Sequence, residues 1–182
     1  ALAKHHLDPG PFTELYAVNS HQLSKIATDI VMGLADRYLG LDAAWFFSRF
    51  VLMIGLAVAY VKMTRALRIE VVTACCALIF FLVVGHQTYF AGEWIFGGSE
   101  GKVFAYILVM LAVGLVINGR LLPAVILLAV ATYFHFLVGG FWAGALFVYL
   151  YLNGHKRKQL VLGILGFTAL VLPMVGLLIY EN

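Results

Sequence analysis

Apolar stretches recur along this chain from Ala44 to Tyr180, and the gaps between them alternate in charge. Lys62, Arg65 and Arg68 make the first gap basic, and Glu93 and Glu100 make the next acidic. Arg120 is basic again, Gly139-Gly140 carries no charge, His155-Lys156-Arg157-Lys158 is strongly basic, and Glu181 closes the chain with an acid. Cytoplasmic loops of membrane proteins collect Lys and Arg, so this alternation is the signature of a chain that crosses a bilayer repeatedly. It predicts an all-α polytopic membrane bundle. Residues 62–70, 118–121 and 153–158 are expected inside. The N-terminal segment, the 89–101 loop and the C-terminus are expected outside.

Composition agrees. The 182 residues are 63% hydrophobic and only 12% charged, whereas a soluble domain is roughly half apolar and about a quarter charged. A soluble fold of this size has too little interior to hide that much apolar surface. The net charge of +3 sits largely in the basic loops, where topology accounts for it, so nucleic acid is not expected as a partner. Cys75 and Cys76 lie side by side in an apolar run and read as small core residues rather than a disulfide or a metal site.

Two regions follow: an outer-side region, 1–43, and a transmembrane helical domain, 44–182. The chain begins at Ala1 without a charged-then-apolar leader, yet the charge rule places its start outside. An earlier span is therefore expected upstream, with this chain a fragment or a processed product. Pro9, Gly10 and Pro11 make residues 1–18 an extended loop. Over 20–39, Leu23, Ile26, Ala27, Ile30, Val31, Leu34 and Tyr38 recur at helical spacing, and Asn19 or Ser20 can cap the start. Such a helix either rests on the membrane surface with its apolar stripe down or packs on the rest of the protein.

About six spans are expected, near 44–61, 71–88, 103–118, 121–136, 138–152 and 159–180. Several are shorter than the roughly 20 residues a perpendicular span needs. Residues 121–152 hold a single strongly polar ionisable group, His135. Arg120 and Lys156 both belong inside, which demands an even number of crossings between them. Two short helices meeting near His135 and Gly139-Gly140 satisfy this, and Pro123 suits the first turn of one of them. Pro173 should kink the last span, as membrane helices tolerate.

The residues able to carry chemistry gather outside: His5, His6, Asp8 and Glu14 in the first segment, His86, Glu93, Glu100 and Lys102 in the second outer loop, and His135 at the third outer turn. Positive-inside sorting alone also leaves acids and histidines there. His135 either faces a cavity or caps a helix break. Ser99 can cap the third span with Glu100 in its first turn, where a carboxylate is favoured. Lys102 is unfavourable there with the helix dipole, so an anion is expected beside it: Glu93, Glu100 or the phosphate of a lipid-linked substrate. His5, His6 and Asp8 form a weak candidate site for a divalent metal. Trp94 and Phe96 suit the headgroup level.

The run Gly97-Gly98-Ser99-Glu100-Gly101-Lys102-x-Phe104-Ala105-Tyr106, then Gly119-Arg120-x-x-x-Ala124, then His135-x-x-x-Gly139, behind an outer loop with Asp8 and Glu14, resembles part of the multi-spanning glycosyltransferases of the GT-C superfamily. It resembles more closely bacterial membrane proteins of unassigned activity with that fold. The resemblance covers most of residues 5–150. It implies an inner-membrane enzyme that moves a sugar from a polyprenyl-phosphate donor to an acceptor on the outer face. By the same resemblance, Asp8, with Glu14 as second choice, is the carboxylate that serves as catalytic base or metal ligand. Lys102 and His135 hold the donor phosphate or line the cavity together with Glu93 and Glu100, and a divalent metal is optional. GT-C enzymes have about twice as many spans, and no paired-acid motif follows the first span here. Two other functions fit the same sequence. A non-catalytic subunit of a larger membrane complex would use Phe46-Phe47, Phe80-Phe81 and Phe141-Trp142 as glue. A transporter would use the broken helices near His135 and Pro173.

Overall fold

A computed structural model describes residues 26–85 and 100–180. Among these residues the chain forms seven helices and no strand: α1 (Ile26–Leu39), α2 (Leu41–Ala66), α3 (Val71–Gly85), α4 (Gly101–Ile117), α5 (Leu121–Phe134), α6 (Phe136–Leu152) and α7 (Arg157–Tyr180). The expected all-α class holds. Two helices are long and apolar enough to cross a membrane, Leu41–Ala66 and Arg157–Gly176. The remaining apolar helices are shorter; α5, with 14 residues, is about 21 Å long against a hydrocarbon core of about 30 Å.

Tight turns connect the helices at one end. After α4, the Asn118 side chain donates to the Gly114 carbonyl at 2.8 Å, Gly119 takes φ 73°, and the Arg120 amide donates to the Leu115 carbonyl at 2.8 Å. After α6, Asn153, Gly154 and His155 repeat this arrangement, with Gly154 at φ 69°. Both are glycine-terminated helix ends that satisfy the last carbonyls. The turn after α2 has the same hydrogen-bond pattern, but Arg68 occupies the glycine slot at φ 56°. This end carries Lys62, Arg65, Arg68, Arg120, Lys156, Arg157 and Lys158, seven of the twelve Lys and Arg in the chain. Glu70 is the one carboxylate there among the described residues.

The core lies between α4, α5 and α6 and is built largely of small side chains. Ala105, Ala112, Ala124, Ala131 and Ala143 are buried with Val109, Val116, Leu128, Leu146 and Leu150. The large side chains point the other way: Phe80 is 68% exposed and Phe141 76%. Close helix approach through small residues is how helices associate when lipid competes equally well for large apolar groups. A second cluster joins α2 to α4 through Leu52, Leu56 and Val103. Leu52 is level with Val103, Gly55 abuts Ile107 and Gly114 abuts Met63, so α2 and α4 run parallel.

The last four expected spans fall on four helices, and the break expected near His135 is that residue alone, between α5 and α6. α7 continues through Pro173. One expectation is corrected. Cys75 and Cys76 are free and exposed rather than core residues, because α3 packs little against the bundle; of its described side chains only Ala74 is buried. The hydroxyl of Tyr60 donates to the Ala74 carbonyl at 2.7 Å and ties α3 to α2.

Helix α1 lies at the end opposite the basic turns. Gly40, at φ 78°, separates it from α2. Thr28 and Gly33 are buried, while Ile30, Val31, Leu34 and Tyr38 form an exposed apolar stripe. One face thus packs on the bundle through Thr28 and Gly33, as the packing reading expects, and the apolar stripe lies on the exposed side.

Candidate functional site

The end away from the basic turns is organised around Gly101. A β-carbon here would meet the Phe134 carbonyl oxygen and the Thr28 hydroxyl. Only glycine lets the start of α4 press this closely on the last turn of α5. The Phe134 carbonyl belongs to a helix end and has no partner within its own helix; the Thr28 hydroxyl donates to it at 3.5 Å. Phe104 stacks on Phe134 with ring centroids 4.8 Å apart and planes 10° apart. One junction thus joins α1, α4 and α5, and it sets two of the sequence candidates side by side. Lys102 follows Gly101, and His135 follows Phe134.

His135 is half-buried in an extended conformation at φ −155°, ψ 103°. The Val138 amide donates to its Nδ1 at 3.3 Å, so the side chain caps α6. Of the two roles open in the sequence, the cap is observed. The helix can fold back sharply because Gly139 sits directly on the backbone of Thr132. Glu100 is exposed at the N-cap of α4 in an extended conformation, and its side chain makes no cap bond. It stands one position earlier than expected, because the helix begins at Gly101. Lys102 is half-buried in the first turn of α4. Asp8, Glu14, Glu93, His5, His6, His86 and Ser99 lie outside the described residues. Among the described residues no group of three or more His, Cys, Asp or Glu could hold a metal ion.

One charged residue escaped the sequence reading. Arg49 lies inside the first expected span, 44–61, where it carries the only full charge. It stands one turn before Leu52 on the face of α2 that packs on α4, and so is level with Glu100 and Gly101. Arg49 is half-buried and its guanidinium carbon lies 4.0 Å from the centre of the Trp45 ring. Its Nε is shielded from solvent and makes no hydrogen bond among the described residues. The signal was available: a charge on an apolar helix is costly and marks a functional position by default. Trp45, Phe46, Phe47 and Phe50 surround it in sequence and are all exposed, as aromatic side chains at a membrane interface are.

This end of the bundle therefore carries Arg49, Lys102, the amide end of α4 and, beside Thr28, the half-buried carboxylate Asp29. Of these, the guanidinium of Arg49 and the α4 amides are groups that can meet an anion. No protein family, curated protein or solved structure matches the chain.

Proposed function

We propose that this chain is part of an integral membrane protein of six crossings, with residues 62–70, 118–121 and 153–158 inside and the Gly101–Phe134 junction facing outward. The distribution of side chains supports this. The two longest apolar helices bury only 22% and 17% of their most apolar windows, small residues fill the core and aromatic residues face out. In water that surface would drive aggregation; in lipid it is the required one. The short helices fit a bilayer that is locally thin or entered at a tilt.

On this footing we read the outward end as the site of a GT-C-like glycosyltransferase that takes a sugar from a polyprenyl-phosphate donor in a bacterial inner membrane. The observation that supports the reading is the close approach of Gly101 to the Phe134 carbonyl, which brings the backbone of Lys102 and of His135 to one junction. In this mechanism Asp8, or Glu14, deprotonates the acceptor, and Lys102 and the cap residue His135 offset charge on the departing phosphate. Glu93 and Glu100 border the cavity, and a divalent metal is optional. The test is sugar transfer from a polyprenyl-phosphate donor by full-length protein in vesicles. Asp8→Asn and Lys102→Ala should each abolish transfer without lowering the melting temperature; unchanged transfer in both ends the reading.

A second reading is a non-catalytic subunit. α3 favours it, since nearly all of its described surface is exposed and open to a neighbouring helix. That reading requires co-purification with fixed partners and indifference to loss of every outer acid.

A further inference from the structure

We infer that Arg49 holds the phosphate of an outer-leaflet lipid at the seam between α2 and α4. The inference rests on the membrane placement proposed above but not on sugar transfer. A guanidinium inside an apolar helix must reach an anion or water. An arginine on the lipid side of a helix does so by snorkelling along the surface. Arg49 differs, because it lies on the stripe that continues through Leu52 and Leu56 into α4, and its Nε is closed off from solvent. One face of the guanidinium is covered by Trp45, which fixes its plane and leaves its edge as the binding surface.

The start of α4, level with that edge, carries two positive features, and the half-buried Asp29 follows Thr28 on α1 at the same end. The first residue of α4 is Gly101, whose amide belongs to the positive end of the helix, and Lys102 follows in the first turn. The nearest carboxylate on this helix, Glu100, is exposed and leaves the α4 amides uncapped by its side chain. Arg49 and the amide end of α4 thus lie at one level, where α2 still carries exposed Trp45, Phe46 and Phe47. A planar guanidinium grips phosphate through two parallel hydrogen bonds, which lysine cannot reproduce. A lipid phosphate brings its own apolar chains, which suit the exposed flanks of α2. Glycerophospholipid and polyprenyl phosphate share this chemistry.

Native mass spectrometry of the full chain in a neutral maltoside detergent tests the inference, with phosphatidylglycerol, a polyprenyl phosphate and inorganic phosphate as probes. Wild-type protein should retain one lipid phosphate. Arg49→Gln should bind it at least about tenfold more weakly, with Arg49→Lys between the two. Arg37→Gln, which removes the same charge from an exposed position on α1, should bind as wild type does. Stronger retention of polyprenyl phosphate than of phosphatidylglycerol identifies a donor seat, and equal retention identifies a bulk-lipid seat; either supports the inference. Lipid binding by Arg49→Gln equal to wild type overturns it, as does inorganic phosphate binding as tightly as either lipid. A folded Arg49→Lys, checked by circular dichroism, keeps the test valid where Arg49→Gln misfolds. Absence of sugar transfer in the wild-type protein would sink the enzymatic reading and leave this binding result untouched.

Discussion

Gly101 and the Phe134 carbonyl are packed so closely that no β-carbon fits between them. This contact fixes the start of α4 against the end of α5 and leaves Lys102 and His135 as neighbours across the joint. A single missing methyl group thus determines whether the candidate site exists as a unit.

Gly101→Ala should force α4 away from α5 and strain the Thr28 contact as well. Overpacking of this kind costs about 1–3 kcal/mol. The neighbouring groups are a backbone carbonyl and a short hydroxyl, neither of which can swing aside. The expected loss is read from unfolding in mixed micelles. Stability equal to wild type would mean that the two helix ends are not in contact.

Gly139→Ala tests the α5–α6 hairpin in the same way. The added carbon meets the Thr132 amide nitrogen, Cα and Oγ1. Removing the hydroxyl in a Thr132→Ala background does not relieve the backbone clash. The double variant should therefore be no more stable than Gly139→Ala alone, and it also loses the Thr132 hydroxyl bond to the Leu128 carbonyl, 2.8 Å long. Rescue by Thr132→Ala would show that the conflict lies in the side chain.

How much of this was legible beforehand follows from the kind of signal each feature sends. The helices and the break at His135 were legible from hydropathy and charge, because the apolar runs are long and repetitive and basic turns punctuate them. The roles of Gly101 and Gly139 were not legible, since a glycine in sequence does not say which backbone approaches it. Small residues facing in and large ones facing out could not be read either, as every side of these helices is apolar. Arg49 was legible in principle and was missed inside a span judged by its average character. Asp8, Glu14 and Glu93 remain proposals from sequence.

Arg68 offers a prediction of opposite sign. It holds φ 56° in a turn whose counterparts at Gly119 and Gly154 are glycines. Left-handed backbone costs a side chain about 1–2 kcal/mol, and glycine returns part of that gain through extra freedom in the unfolded chain. Arg68→Gly should therefore stabilise the folded protein by about 0.5–1 kcal/mol, whereas Gly119→Arg should weaken it. A variant less stable than wild type would show that the Arg68 side chain makes a compensating contact.

His135 allows its two roles to be separated. Its Nδ1 accepts from the Val138 amide at 3.3 Å, a long bond that places the cap at the low end of the usual range of about 0.5–2 kcal/mol. Asparagine can accept the same bond and is a good cap. If His135 only caps α6, His135→Ala should lose stability and His135→Asn should restore both stability and transfer. If the imidazole also meets the donor, as proposed, His135→Asn should melt like wild type yet transfer sugar much more slowly. Parallel measurement of melting temperature and transfer rate on the two variants decides between them. Full transfer in His135→Asn would remove His135 from the site and leave it as the hinge that lets α6 fold back on α5.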